Sequence, residues 1–137
     1  MRIIIAGAGE VGSHLAKMLS NESNDITVID SDQSRLDALA SNTDIVTVTG
    51  SSSEIKVLKE AGVADSDLFI AVNPSESQDV NIISAILAKK LGSHKVTARI
   101  NTEEYLSYEN KNIFTEMGID LLFYPEMTVC HGCYLSQ

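Results

Sequence analysis

Short apolar runs alternate with amphipathic stretches along the chain. The runs are Ile3-Ile4-Ile5-Ala6, Ile26-Thr27-Val28-Ile29, Ile45-Val46-Thr47-Val48, Leu68-Phe69-Ile70-Ala71-Val72, Val96-Thr97-Ala98 and Leu121-Leu122-Phe123. They are short, mostly rich in β-branched residues, and apolar on both faces. Strands of a parallel sheet covered on both sides read this way, whereas a sheet with one wet face alternates apolar and polar residues.

Five helical segments fall between the runs. The first spans about Glu10 to Asn21, with Val11, Leu15, Met18 and Leu19 on one face. The second follows Ser31-Asp32 and carries Leu36, Leu39 and Ala40. The third is expected to begin near Ser51, because Ser51 and Glu54 have capping-box spacing, and to stop at Gly62. The fourth opens at Ser75, with Gln78 three residues on, and stops at Gly92. The fifth starts after Asn101 or Thr102 and ends near Gly118. Strand–helix alternation implies parallel strands joined by right-handed crossovers. Six strands and five helices in this order predict a doubly wound α/β sheet of Rossmann type, ordered 3-2-1-4-5-6. No linker or repeat interrupts residues 1–126, which read as one domain, followed by a tail, 127–137.

The fourth helix is apolar on more than one side. Val80, Ile82, Ile83, Ala85, Ile86, Leu87, Ala88 and Leu91 exceed what one sheet-facing stripe requires. The surplus predicts a self-association surface. The alternative is a helix tucked under the fifth and wholly internal.

The candidate chemistry sits at the first turn. Gly7-Ala8-Gly9-Glu10-Val11-Gly12 is a G-x-G-x-x-G sequence that follows a strand and opens a helix. In such a turn Gly7 permits the tight bend, Gly9 lets a pyrophosphate approach the backbone, and Gly12 lets the helix lie close to the strand. The helix N-terminus offers N–H groups and partial positive charge to phosphate. Asp30 ends the second strand, about 20 residues on, where a carboxylate accepts hydrogen bonds from ribose hydroxyls and repels a 2′-phosphate. Its plainer reading is a helix cap. Asn73-Pro74 and Arg99 follow or end the fourth and fifth strands, where open sheets bind ligands. Asn73 can meet the adenosine ribose or base edge, and Arg99 a phosphate or Glu10. Glu10 itself competes with an anion at the helix start, so it is expected to turn toward solvent or an arginine.

Composition narrows the classes. The 137 residues suit one domain, and with no Trp the core must rest on Ile, Val, Leu and Ala. A net charge of -9 argues against a nucleic-acid partner. No run approaches the ~20 apolar residues of a membrane span, and Met1-Arg2 leads straight into a strand with no signal peptide. A cytoplasmic protein, reaching a membrane only through a partner, is expected. Cys130 and Cys133 flank His131 without a second ligand pair and read as incidental rather than as a zinc or redox site. His14 and His94 lack an Asp or Cys partner for base or nucleophile work. Ser51-Ser52-Ser53 reads as capping. No catalytic residue is expected, and the chain reads as a non-enzyme.

The motifs together resemble the RCK or KTN regulatory domains (TrkA-N type) of bacterial potassium uptake. The resemblance runs through Met1 to Gly12, Asn24 to Asp30, Val57 to Gly62, Ala71-Val72, Asn81 to Leu91, Ala98-Arg99-Ile100, Gly118-Ile119-Asp120 and Tyr124-Pro125-Glu126. It implies a cytoplasmic subunit that binds NAD, NADH, ATP or ADP, assembles as a homodimer or larger ring, and gates a membrane potassium-translocating partner. It implies nucleotide contacts from Gly7 to Val11, Asp30, Asn73, Pro74 and Arg99. Two departures stand out. Relatives often carry Gly-Asp or Gly-Asn-Gly where this chain has Gly50-Ser51-Ser52. Met127 to Gln137 also does not read as the next helix, so that tail is expected to be foreign to the domain. Two other functions fit a Rossmann fold: the cofactor domain of a truncated NAD-dependent oxidoreductase, or an interaction module with a vestigial site.

Overall fold

A computed structural model of the protein describes residues 1–125; the tail, with Glu126, Cys130, His131 and Cys133, lies outside the described residues. Six strands, β1 (Arg2–Ala6), β2 (Asp25–Asp30), β3 (Val46–Thr49), β4 (Leu68–Ala71), β5 (Lys95–Arg99) and β6 (Leu121–Phe123), form one sheet. Its order is β3-β2-β1-β4-β5-β6, and every recorded pairing is parallel. Five helices connect them: α1 (Glu10–Ser20), α2 (Gln33–Ala40), α3 (Ile55–Glu60), α4 (Gln78–Leu91) and α5 (Lys111–Glu116).

Apolar residues on both strand faces produce two cores. Ile3 and Ile5 of β1 pack with Ala16 of α1 and with Leu36 and Leu39 of α2. Ile4 and Ala6 pack on the other side with Val57 and Leu58 of α3 and Ala85 and Ala88 of α4. The register sets Ala6 opposite both Ile29 and Ala71, so β1, β2 and β4 end level with one another. Their outgoing loops therefore meet at one end of the sheet.

Three expectations about helices change. Helix α3 starts at Ile55, not near Ser51, and no side chain caps it. Ser52 explains the delay. It is buried, with its hydroxyl 2.7 Å from that of Ser84, which draws the loop inward before a helix can start. Ser51 instead closes a turn, its hydroxyl accepting from Ser53 N at 3.2 Å. Helix α4 is preceded by a 3-10 turn, Ser75–Ser77. The Gln78 amide does not cap it but crosses to Asn101 N (3.0 Å) and Thr102 Oγ1 (3.1 Å). The fifth helix is broken into a 3-10 turn, Glu103–Leu106, and the short α5. Ser107 is extended between them, and Tyr105 folds back onto Phe114 with ring centroids 4.8 Å apart.

Helix α4 is not wholly internal. Asn81, Ser84, Ala85 and Ala88 are buried, whereas Ile83 is 47% exposed. Away from the level loops, Asp120 joins β5 to the start of β6. Its carboxylate accepts from Val96 N at 2.8 Å and Lys89 Nζ at 3.1 Å. Burial alone would raise this carboxyl's pKa; the Val96 N–H, the Lys89 ammonium and the charge of Lys95 together outweigh burial and hold it below the ordinary value.

Candidate nucleotide-binding site

The turn after β1 is determined by close backbone contacts. Gly7 has φ +119, and its N–H donates to Ile29 O at 2.8 Å. A Cβ there would lie 2.8 Å from Asn73 N, against the chain leaving β4. A Cβ on Gly12 would lie 1.7 Å from Gly7 O, so only glycine lets α1 press onto the turn. Gly9 differs: a Cβ there would meet nothing within 4 Å. It precedes α1 with no side-chain cap. The first N–H groups of a helix have no partner within the helix, so this end can receive an anion.

Asp30 stands beside that turn, 6% exposed. One carboxylate oxygen accepts from Ala8 N and the other from Asp32 N, both at 2.9 Å. Each oxygen retains acceptor capacity. Asp30 is not the cap of α2; Asp32 is, accepting from Ser34 N (2.9 Å) and Arg35 N (3.4 Å). Asp30 and Asn73 line one cavity of about 150 Å³ with Gly50, Ser51 and Ser52. Gly9, Glu10, Val11, Pro74 and Arg99 line another of about 280 Å³, joined there by Arg35 and Glu76. Gly7, Ala8 and Gly12 are buried and form the framework behind both. Glu10 is exposed, as expected of a carboxylate at this helix start.

The loops after β4 and β5 are held by one side chain that the sequence did not mark. Asn81 of α4 is 0% exposed. Its Oδ1 accepts from Asn73 N (2.8 Å) and Asn73 Nδ2 (3.1 Å). Its Nδ2 donates to Asn73 O and Arg99 O, both at 3.1 Å. Asn73 Nδ2 also reaches Ser52 Oγ at 3.3 Å, so the loops after β3, β4 and β5 share one polar network. Ser52, Asn81 and Arg35 were not among the expected site residues. A buried Asn on an apolar helix was the available signal for Asn81.

A larger cavity, about 310 Å³, lies at the amino ends of β1, β2 and β3, beside Arg2, Asp25 and Asp44. Open α/β sheets bind ligands beyond the carboxyl ends, so size does not decide between them. His14 and His94 are exposed and away from either cavity at the glycine turn. Among the described residues no group of three His, Cys, Asp or Glu could hold a metal, and no helix is long and apolar enough to cross a membrane.

An open glycine face at a helix start, a buried carboxylate beside it and strand ends converging on both define a Rossmann-type nucleotide-binding domain. More particularly, residues 3–125 match the TrkA-N domain, and the chain belongs to that family. It is 39% identical over 131 residues to a Trk system potassium uptake protein TrkA homolog of Archaeoglobus fulgidus, covering 94% of this chain and 28% of that protein. It is 41% identical over 130 residues to the Trk system potassium uptake protein TrkA of Halomonas elongata, with the same two coverages. The chain thus spans little more than a quarter of those relatives. Its fold resembles the TrkA-N domain of inner membrane protein ybaL from Escherichia coli, with TM-score 0.78, 17% identity, and 97% and 93% of the two chains covered. It also resembles the GsuK channel bound to NAD (TM-score 0.71, 17% identity, 88% and 21% covered) and GsuK bound to ADP (TM-score 0.72, 17% identity, 90% and 31% covered).

Proposed function

We propose that this domain is the nucleotide sensor of a potassium-uptake regulator. It binds NAD, NADH, ATP or ADP and passes its bound state to a membrane potassium-translocating partner. The observation that carries the reading is the open face of Gly9 beside the buried Asp30. In this role Asp30 accepts the ribose hydroxyls, and the α1 N-terminus and Arg99 take the phosphates. Asn73 faces the ribose or base edge, and Pro74 closes the cavity wall. The family assignment and the names of the two relatives support potassium uptake, and the NAD and ADP complexes of GsuK support the ligand class.

The domain works in the cytoplasm as a homo-oligomer, without chemistry of its own. A nucleotide that binds one arrangement of paired domains more tightly than another shifts the population toward it. Equal affinity for both would change nothing, however tight. Calorimetric titration with NADH, NAD, ATP and ADP in parallel tests the reading. Selective micromolar binding is expected, and Asp30→Ala should weaken every adenosine ligand by about 1–3 kcal/mol. No binding by any of the four would overturn the proposal.

A further inference from the structure

We infer that Arg35 is the second cation of the phosphate site and sets how steeply affinity rises with phosphate charge; this rests on the nucleotide reading above. Arg35 comes from α2, an element outside the expected phosphate contacts. It nevertheless lines the cavity of about 280 Å³ with Gly9, Val11 and Arg99. It also lines a notch of about 230 Å³ between α1 and α2, with Ala8, Ser13 and Lys17. One side chain therefore borders these two hollows, on either side of it.

Charge balance gives it a task. Glu10 and Glu76 line the same cavity as Arg99. With Arg99 alone, two carboxylates face one guanidinium, in a chain of net charge -9. Arg35 brings the lining to two cations against two anions. The partial positive end of α1 then favours a phosphate.

The side chain is placed but loosely held. Arg35 N donates to Asp32 O at 3.1 Å, which fixes its backbone in the first turn of α2. Arg35 Nε lies 3.7 Å from Asp32 Oδ2, and both side chains are exposed. An exposed pair of that length holds weakly. A guanidinium carries five donors, and its fork matches phosphate oxygens, so the remaining N–H groups suit a ligand. Asp32 N in turn donates to Asp30. Ala8, Asp30, Asp32 and Arg35 thus form one chain of contacts from the ribose acceptor to this cation.

The test titrates wild type, Arg35→Gln and Lys17→Gln with adenosine, AMP and ADP. Lys17 lines only the outer notch and controls for the general field of a nearby cation. The expected result is an affinity that rises with phosphate number in wild type. Arg35→Gln should lose roughly tenfold for ADP and less than about twofold for adenosine, since a charge-assisted contact is removed only where phosphate is present. Lys17→Gln should follow wild type. Equal ADP affinity in wild type and Arg35→Gln overturns the Arg35 role alone. So does an equal loss for adenosine and ADP, or an equal loss in Lys17→Gln. Wild-type protein that binds none of the three overturns the nucleotide reading and this inference with it.

Discussion

The loops after β1 and after β4 face each other across the site, yet they are held by opposite means. The first is fixed chiefly by close backbone packing, with the Asp30 carboxylate holding Ala8 N. Gly7 bonds to Ile29, and Gly12 lies so close to Gly7 O that no side chain fits. The second is fixed by one side chain, the Asn81 amide, which reaches Asn73 twice through Oδ1 and Asn73 O and Arg99 O through Nδ2. The first arrangement fails if an atom is added, and the second fails if atoms are removed.

Substitutions can break that contrast in order of effect. Gly12→Ala should be the most damaging, because the obstructing atom is backbone. We expect a loss of about 3 kcal/mol or more, read as a fall in chemical-denaturation midpoint. Asn81→Ala should follow at about 2 kcal/mol. It removes the side-chain partner from Asn73 N–H, Asn73 C=O and Arg99 C=O together, so its loss should exceed that of a surface Asn. Gly9→Ala should leave stability within about 0.5 kcal/mol, since nothing obstructs a Cβ there, while weakening nucleotide binding by about tenfold. A matching loss of stability in Gly9→Ala would erase the distinction between framework and binding glycines.

The smallest effect lies away from both loops and fades in acid. The Asp120 pKa is lowered in the folded state. Its contribution to stability is therefore full above the unfolded carboxyl value and is lost as pH falls through the lowered folded value. Asp120→Asn should lower stability slightly in the neutral region and flatten the acid end of a stability-versus-pH curve, so that the two proteins converge at low pH. An unchanged acid limb would show that the β5–β6 link does not depend on this charge.

The same contrast explains what was legible in the sequence. Strand order and the places of Gly7, Gly9, Gly12 and Asp30 at the turn were readable because their signals are local: β-branched runs, and glycines at fixed spacing after a strand. Asn81 was not readable as a clamp, because its partners lie 8 and 18 residues away and meet it only after α4 docks. Arg35 reads in sequence as an ordinary i, i+3 partner of Asp32 on a polar helix start. Ser51 and Glu54 had capping spacing, but burial of Ser52 against Ser84 took precedence over a local cap. The fifth crossover misled for a similar reason. The contact between Tyr105 and Phe114 is tertiary, and nothing in the local pattern announces the extended Ser107.

The central pairing of the sheet also sets a timetable. β1 pairs with β2 nearby in sequence, but its other edge waits for β4, with Ile3 opposite Leu68. At roughly 5–20 residues per second, a ribosome delivers β4 several seconds after β2. Until then the Gly7 turn lacks the Val72–Asn73 backbone that walls it. A nucleotide therefore has no finished pocket to bind while the first half of the chain is emerging. It can stabilise only the completed domain, as a clamp applied after folding rather than a template during it.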